Sequence, residues 1–213
     1  MRLVLIRHGD AYAGLIGTIA GPIGCAGLTP LGKLQAEALR DRLATSGTLV
    51  ADALLTSELP RAIQTAQIIA PALGFTIAEQ DCDLCEVHTG EADNTHWADY
   101  PANYGVFDMM AEPDRPFAPE GDSWNSFHLR VNSAMERLAR EHRDETVVAV
   151  CHAGVIMASI RTIFDMPHPG TGALMRPSNT GMTVWEHDET LDRWTLHTFN
   201  DAEHLHAVVA PPD

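Results

Sequence analysis

Twice in this chain a short apolar run breaks off into histidine. Leu3-Val4-Leu5-Ile6 leads into Arg7-His8-Gly9, and Thr146-Val147-Val148-Ala149-Val150-Cys151 leads into His152-Ala153-Gly154. Short runs of branched aliphatics fit strands buried on both faces of a parallel sheet. In such sheets ligand chemistry gathers at the carboxyl ends of the strands. Two strands that each deliver an imidazole to that edge are expected to bring both rings over one pocket, with Arg7 beside them.

The segments between the two runs supply the helices that a parallel sheet needs. Thr29-Pro30 reads as an N-cap followed by proline at the first helical position, and Gly47 as the stop. Leu31, Leu34, Ala38, Leu39 and Leu43 are predicted to cover the inner side, with Lys33, Glu37 and Arg40 opposite. A strand is expected over 49–56. A second helix follows Pro60, with Ala62, Ala66, Ile69 and Leu73 at helical spacing and Arg61 in its first turn, where free backbone N–H groups favour an anion. An edge strand is expected over 75–78.

Ser123 reads as the cap of a helix carrying Trp124, Phe127, Val131, Met135 and Leu138 inward. A further helix is predicted over 155–164, with its N-terminus toward His152. The last strands fall near 183–187 and 194–199, and Asn179-Thr180-Gly181 is a turn that approaches the pocket. Two stretches resist regular structure. Asp10 to Gly27 is dense in glycine and predicts a loop, whose Leu15, Ile16, Ile19 and Ile23 pack locally or line a pocket mouth. Residues 84–122 are broken by glycine and proline, and a stretch this long inside a compact domain reads as a lid or binding loop. Short helical pieces are expected near 97–100 and 107–110.

With 14 basic and 29 acidic residues the chain carries a formal charge of −15, which excludes long-range attraction to nucleic acid or an anionic membrane. A basic pocket must be local. The first apolar run is too short for a secretory signal and no run approaches the ~20 residues of a membrane span, so a cytoplasmic protein is expected. The spacing Cys82-Asp83-Leu84-Cys85 lacks the second pair that a zinc site wants, and with Cys25 and Cys151 isolated all four cysteines read as ordinary thiols. His197, His204 and His206 read as surface or turn residues.

Taken in order, Leu5-Ile6-Arg7-His8-Gly9, Thr56-Ser57-Glu58-Leu59-Pro60-Arg61, Leu84-Cys85-Glu86 and Val150-Cys151-His152-Ala153-Gly154 resemble the histidine phosphatase superfamily, also called the phosphoglycerate mutase-like family. The resemblance runs through most of the chain. It implies a single domain over 1–213, an α/β fold with three α/β/α layers around a largely parallel sheet, and a lid or specificity insertion at about 88–121. It also implies roles. His8 would be the nucleophile that becomes phosphohistidine; Arg7, Arg61, His152 and the Ala153 backbone would join it in holding the phosphoryl group; Glu86 would protonate the leaving oxygen.

Elementary chemistry agrees. A neutral imidazole attacks phosphorus, and nearby guanidinium charges keep it neutral. The same arginines match the equatorial oxygens of a loose transition state. No metal or other cofactor is expected. Glu91 and Asp93 compete with Glu86 for the acid role.

The family pattern is departed from where many members carry Glu or Gln after Arg-His-Gly and an Asn a few residues on. Here stand Asp10 and Gly14. Asp10 to Gly27 also lacks the extra basic residues of mutases, although Arg115 and Arg176 remain as sources of charge. These departures favour a metal-independent phosphomonoester phosphatase acting on a small phosphorylated metabolite. Phosphoglycerate mutase-type transfer, a protein phosphohistidine phosphatase and a non-catalytic phospho-ligand module are the alternatives. An edge strand or the C-terminal segment offers a route to a homodimer.

Overall fold

A computed structural model of the protein describes residues 1–106, 108, 111–166 and 175–208. Its centre is a six-stranded sheet in the order β3-β2-β4-β1-β5-β6. The strands are β1 Arg2–Arg7, β2 Ala53–Thr56, β3 Glu79–Gln80, β4 Thr146–Cys151, β5 Met182–Asp188 and β6 Arg193–Asp201. Strands β1 to β4 are mutually parallel, while β5 and β6 run antiparallel at one side.

Alternation along each strand sorts the core into two layers. Val4, Ile6, Val148 and Val150 face α2 (Pro30–Ser46) and α3 (Pro60–Ile69), through Leu39, Leu43, Ala62 and Ile69. Leu3, Leu5, Val147 and Ala149 face α5 (Trp124–Glu141) and α6 (Ala153–Ile163), through Phe127, Val131, Leu138 and Ile156. This is the expected three-layer α/β/α sandwich. The chain leaves β1 toward one side of the sheet and β4 toward the other, so the crevice between their carboxyl ends is the topological switch point where ligands bind in such folds.

The helix signals act as the sequence suggests. Thr29 Oγ1 accepts from Gly32 N–H, and Gly47 ends α2 at φ 58°. Ser123 and Ser126 form a reciprocal capping box at the start of α5. The inner face of α2 nevertheless differs: it is Gly32, Ala36, Leu39 and Leu43, whereas Leu34 is exposed. The cause is backbone crossing. Asp10 lies so close to α2 that a Cβ at Gly32 would strike its carbonyl, and this contact sets the helix's rotation.

Other expectations shift at their edges. The Asp10 to Gly27 segment holds one short helix, α1 (Tyr12–Ile16), ended by Gly17 in the left-handed region. The helix forms across Gly14, which the expectation of a loop counts against it. The edge strand lies at Glu79–Gln80 rather than 75–78, because Phe75 N–H is taken by Ala70 O as the preceding helix winds down. Residues 49–52 stay outside the ladder of β2. The short helix expected at 97–100 begins at Tyr100 and runs to Tyr104 as α4, and of the one expected over 107–110 all but Asp108 lies outside the described residues. His204 is buried, not superficial, and its Nε2 meets Thr180 Oγ1 at 2.8 Å. Among the described residues no helix is long and apolar enough to cross a membrane.

A small second core forms where Ala92, Tyr100, Phe117 and Ala118 pack with Ile19. The Tyr100 hydroxyl donates to the Phe117 carbonyl. This cluster stands against one side of the switch-point crevice.

Candidate active site

Register brings the strand ends together. Arg7 lies opposite Cys151 in the β1/β4 ladder, and Thr56 opposite Val150 in the β2/β4 ladder. The residues that follow continue the pairing: His8 N–H donates to Cys151 O at 2.9 Å, and Ser57 N–H to Val150 O at 2.9 Å. His8, Ser57 and His152 therefore share one edge of the sheet. The two imidazoles meet there, with ring centroids 5.1 Å apart.

The backbone around His8 fixes its tautomer. His8 Nδ1 lies 2.6 Å from Gly9 O, a carbonyl that only accepts, so Nδ1 carries the proton and Nε2 keeps its lone pair. Arg61 Nε donates to that lone pair at 3.2 Å. Gly9 is itself held, its N–H donating to Thr65 Oγ1 at 3.1 Å. Burial first, then the Arg61 and Arg7 charges, hold the imidazole well below the ordinary histidine range, against the Gly9 hydrogen bond. Desolvation thus ranks ahead of the arginine repulsion that the sequence suggests as the cause.

His152 is fully buried, and its Nε2 sits 2.7 Å from Ser57 Oγ. When the Ser57 hydroxyl donates to Nε2, the ring proton rests on Nδ1. That nitrogen is buried with no hydrogen-bond partner among the described residues, as is Arg7 Nε. Buried donors normally find partners, so these two groups are open to an acceptor such as an anion. Arg7 Nη1 donates to Pro177 O at 2.7 Å and Arg61 Nη1 to Ala20 O at 2.9 Å, which aim both guanidinium groups. Ala153 is the first residue of α6, so its N–H is among the helix's uncommitted donors.

Glu86 completes the edge. Its Oε2 accepts from Gly154 N–H at 3.1 Å, while Oε1 is buried without a partner among the described residues. A Cβ at residue 154 would collide with this carboxylate, which is why glycine follows His-Ala. The two competing carboxylates are placed elsewhere. Asp93 accepts from the N–H groups of Gly21, Ile23 and Gly24 at 2.8, 2.7 and 3.0 Å and so anchors the loop, and Glu91 is exposed.

Arg7, His8, Arg61 and Glu86 open onto one end of a cavity of about 450 Å³, whereas His152, which is fully buried, and Ala153 are not among its lining residues. The rest of its wall comprises Asp10, Ala11, Ala13, Gly14, Thr18, Ile19, Ala20, Val87, Thr89, Trp97, Phe117 and Asn179. Arg115 and Arg176 are not part of it; Arg115 instead meets Glu112 and donates to Tyr104 O. A larger groove of about 660 Å³ lies at the opposite edge of the sheet, beside His187 and Trp194, and holds none of these groups.

The family model of the histidine phosphatase superfamily (branch 1) matches residues 3–202. The chain belongs to this superfamily. A metal-independent phosphoserine phosphatase of Arabidopsis thaliana is 29% identical over 210 residues, covering 97% of this chain and 84% of that protein. The phosphoglycerate mutase-like protein 4 of the same plant is 28% identical over 207 residues, 95% and 86% of the two chains. Among solved structures, a phosphoserine phosphatase mutant from Entamoeba histolytica in complex with phosphoserine superposes with a TM-score of 0.77 at 25% identity, over 96% of this chain and 98% of that one.

Within this histidine phosphatase, the two departures from the family pattern both lie on the cavity wall. Asp10 turns away to accept from the Thr29 hydroxyl at 2.7 Å. Gly14, in place of the usual Asn, lines the cavity without a side chain. Asn179 arrives from the other side, its Nδ2 donating to His8 O at 3.0 Å. Sequence reasoning missed Ser57, Thr65 and Arg130 as site-builders. Arg130 grips the turn that bears Glu86, donating to the carbonyls of Asp83, Cys85 and Glu86 at 3.0, 3.0 and 3.1 Å and to Asp122 at 2.7 Å. Its one trace in the sequence is a cation at the rim of the apolar stripe of α5, a turn after Phe127.

Proposed function

We propose that the protein is a metal-independent phosphatase that hydrolyses small phosphomonoesters through a phosphohistidine at His8. The enzyme class, phosphoric monoester hydrolase, follows from the family; the route and the substrate are the proposal. The observation that carries it is the lone pair of His8 Nε2 sharing one cavity with the unpartnered oxygen of Glu86 and two guanidinium groups.

On substrate arrival the Arg61 Nε–H turns from His8 to a phosphoryl oxygen. Arg7 Nε, His152 Nδ1 and the Ala153 N–H take the others, and the lone pair is released. Nε2 attacks phosphorus as the bond to the leaving oxygen breaks, and Glu86 supplies that oxygen's proton. In the second half Glu86 takes a proton from water, which attacks the phosphohistidine and frees phosphate and neutral His8.

Hydrolysis is favoured over mutase transfer because, among the described residues, Arg7 and Arg61 are the only cations lining the cavity, leaving none for a second phosphoryl group. Residues 88–121 act as the lid and specificity insertion, since Thr89, Trp97 and Phe117 line the leaving-group end. That apolar wall with two threonine hydroxyls suits a small alcohol, and the two phosphoserine phosphatases among the relatives place O-phosphoserine first on the panel.

The test is an assay of wild type and His8→Ala with chelator present, against an aryl phosphate, O-phosphoserine, 3-phosphoglycerate, and sugar and nucleotide esters. Chelator-resistant turnover lost in His8→Ala is expected, with acid-stable quench showing no label on protein and alkaline quench trapping it on histidine. Turnover that survives in His8→Ala would sink the route. Binding of phosphate without turnover of any ester would point to a non-catalytic module.

A further inference from the structure

Cys82, Cys85 and His88 offer two sulfurs and an imidazole nitrogen that all lie within 4.8 Å of one another. The pair that lacks a partner pair in the sequence gains its third donor from three residues further along. Cys82 Sγ stands 3.5 Å from His88 Nε2. A tetrahedral ion with metal–sulfur bonds of about 2.3 Å and metal–nitrogen bonds of about 2.05 Å holds sulfur and nitrogen about 3.5 Å apart.

The surroundings are arranged as for a metal ligand. His88 Nδ1 lies 3.6 Å from Asp122 Oδ2, and that carboxylate is fixed by Arg130. A carboxylate on the Nδ1 side of the ring favours a proton there and leaves the Nε2 lone pair facing the two sulfurs. Cys85 Sγ is held on the inner side of the turn, 3.2 Å from Ser57 Oγ. The turn is rigid before any ion arrives: Asp81 accepts from Asp83 N–H at 2.9 Å and Arg130 clamps its carbonyls. Cys82 is exposed, leaving a fourth position to water.

We propose that Cys82, Cys85 and His88 bind one zinc-class divalent ion on the turn that carries Glu86. Two thiolates and an imidazole select Zn²⁺ or Co²⁺ over Mg²⁺ or Ca²⁺. The site uses none of the phosphate-holding residues, and an ion there ties together the two ends of the segment on which Glu86 sits.

The test uses reduced, tag-free full-length protein stripped with chelator, titrated with Co²⁺ and then Zn²⁺. One equivalent of cobalt should produce thiolate-to-cobalt charge transfer and the intense visible bands of a tetrahedral site, and one equivalent of zinc should abolish them. Cys82→Ser, at an exposed position, and His88→Gln should each weaken binding at least about tenfold while circular dichroism stays unchanged. No thiolate–cobalt bands at saturation, or bands of full strength in Cys82→Ser, would overturn the proposal. The titration reads binding without turnover, so its failure is distinct from failure of the catalytic reading.

Discussion

Gly154→Ala tests the acid role proposed for Glu86 without touching the carboxyl group itself. A Cβ at this position would stand 2.9 Å from the Glu86 carboxyl carbon and closer still to Oε1, where ordinary contact begins at 3.4 Å. The carboxyl carbon must retreat by at least about 0.5 Å and Oε1 by more, at the cost of the bond from Gly154 N–H. A misplacement of about 1 Å typically costs about 10²-fold, inside the ~10²–10⁴ that a general acid supplies in total. We therefore expect kcat/KM for an alkyl phosphomonoester to fall about 10²-fold, or about 2.7 kcal/mol of barrier. For an aryl phosphate whose phenol leaves without a proton, the fall should be about tenfold or less. Since kcat/KM reports the first irreversible step, which on the proposed route is transfer to His8, the contrast between the two esters reads protonation of the leaving oxygen. Equal losses on both esters would refute the reasoning, because they would signal general damage to the pocket.

Asp93→Ala, which strips the acceptor from three loop N–H groups, should raise KM and the loop's protease sensitivity while leaving the contrast between alkyl and aryl esters as in wild type. Should that contrast grow, Asp93 and not Glu86 would be the acid. Phe127→Ala, at a fully buried ring between α5 and the sheet, should cost about 3–5 kcal/mol, read as a drop in the urea midpoint. Burial holds His8 and His152 well below the usual 6.5 and His204 down to about 4, so the unfolded chain binds protons that the folded one refuses. Their contribution to stability is complete above pH 6.5 and is lost as pH falls below it. At about pH 5.5 each forfeits about 1.4 kcal/mol relative to pH 8, up to about 4 kcal/mol for the three, and equal urea midpoints at the two pH values would contradict it.

Much of the fold was legible because its signals are local. The two apolar runs that end in histidine are β1 and β4, and β4 matches its expected bounds. Thr29, Ser123 and the glycines at 47 and 74 mark helix ends through backbone chemistry that needs no tertiary context. What could not be read was set by distant partners. The rotation of α2 follows from Asp10 crossing at Gly32, and α3's neighbour β3 is two residues long because its ladder with β2 ends there. The four strand-end and helix-start residues Arg7, His8, Arg61 and His152 do meet at one edge, as does Glu86. Ser57, Thr65 and Arg130 were silent because a serine, a threonine and a surface-side arginine acquire their roles only through neighbours 28 to 95 residues away in sequence.

The cavity divides along the same line. Its end proposed to hold phosphate draws Arg7 and His8 from a strand end whose position is dictated by ladder register, so the chemistry suggested for it can be read from the residue types that terminate that strand. Its other end is made of Ala13, Gly14, Thr18, Val87, Trp97 and Phe117, contributed by two irregular segments held by Asp93 and by a small apolar cluster. No periodicity constrains those segments, and a change of one side chain there alters the wall without disturbing the sheet. The identity of the alcohol is therefore free to vary while Arg7, His8, Arg61, Glu86 and His152 stay in place. Exchanging loop residues such as Trp97 should accordingly re-rank the esters by KM, with the loss on His8→Ala unaffected by the exchange.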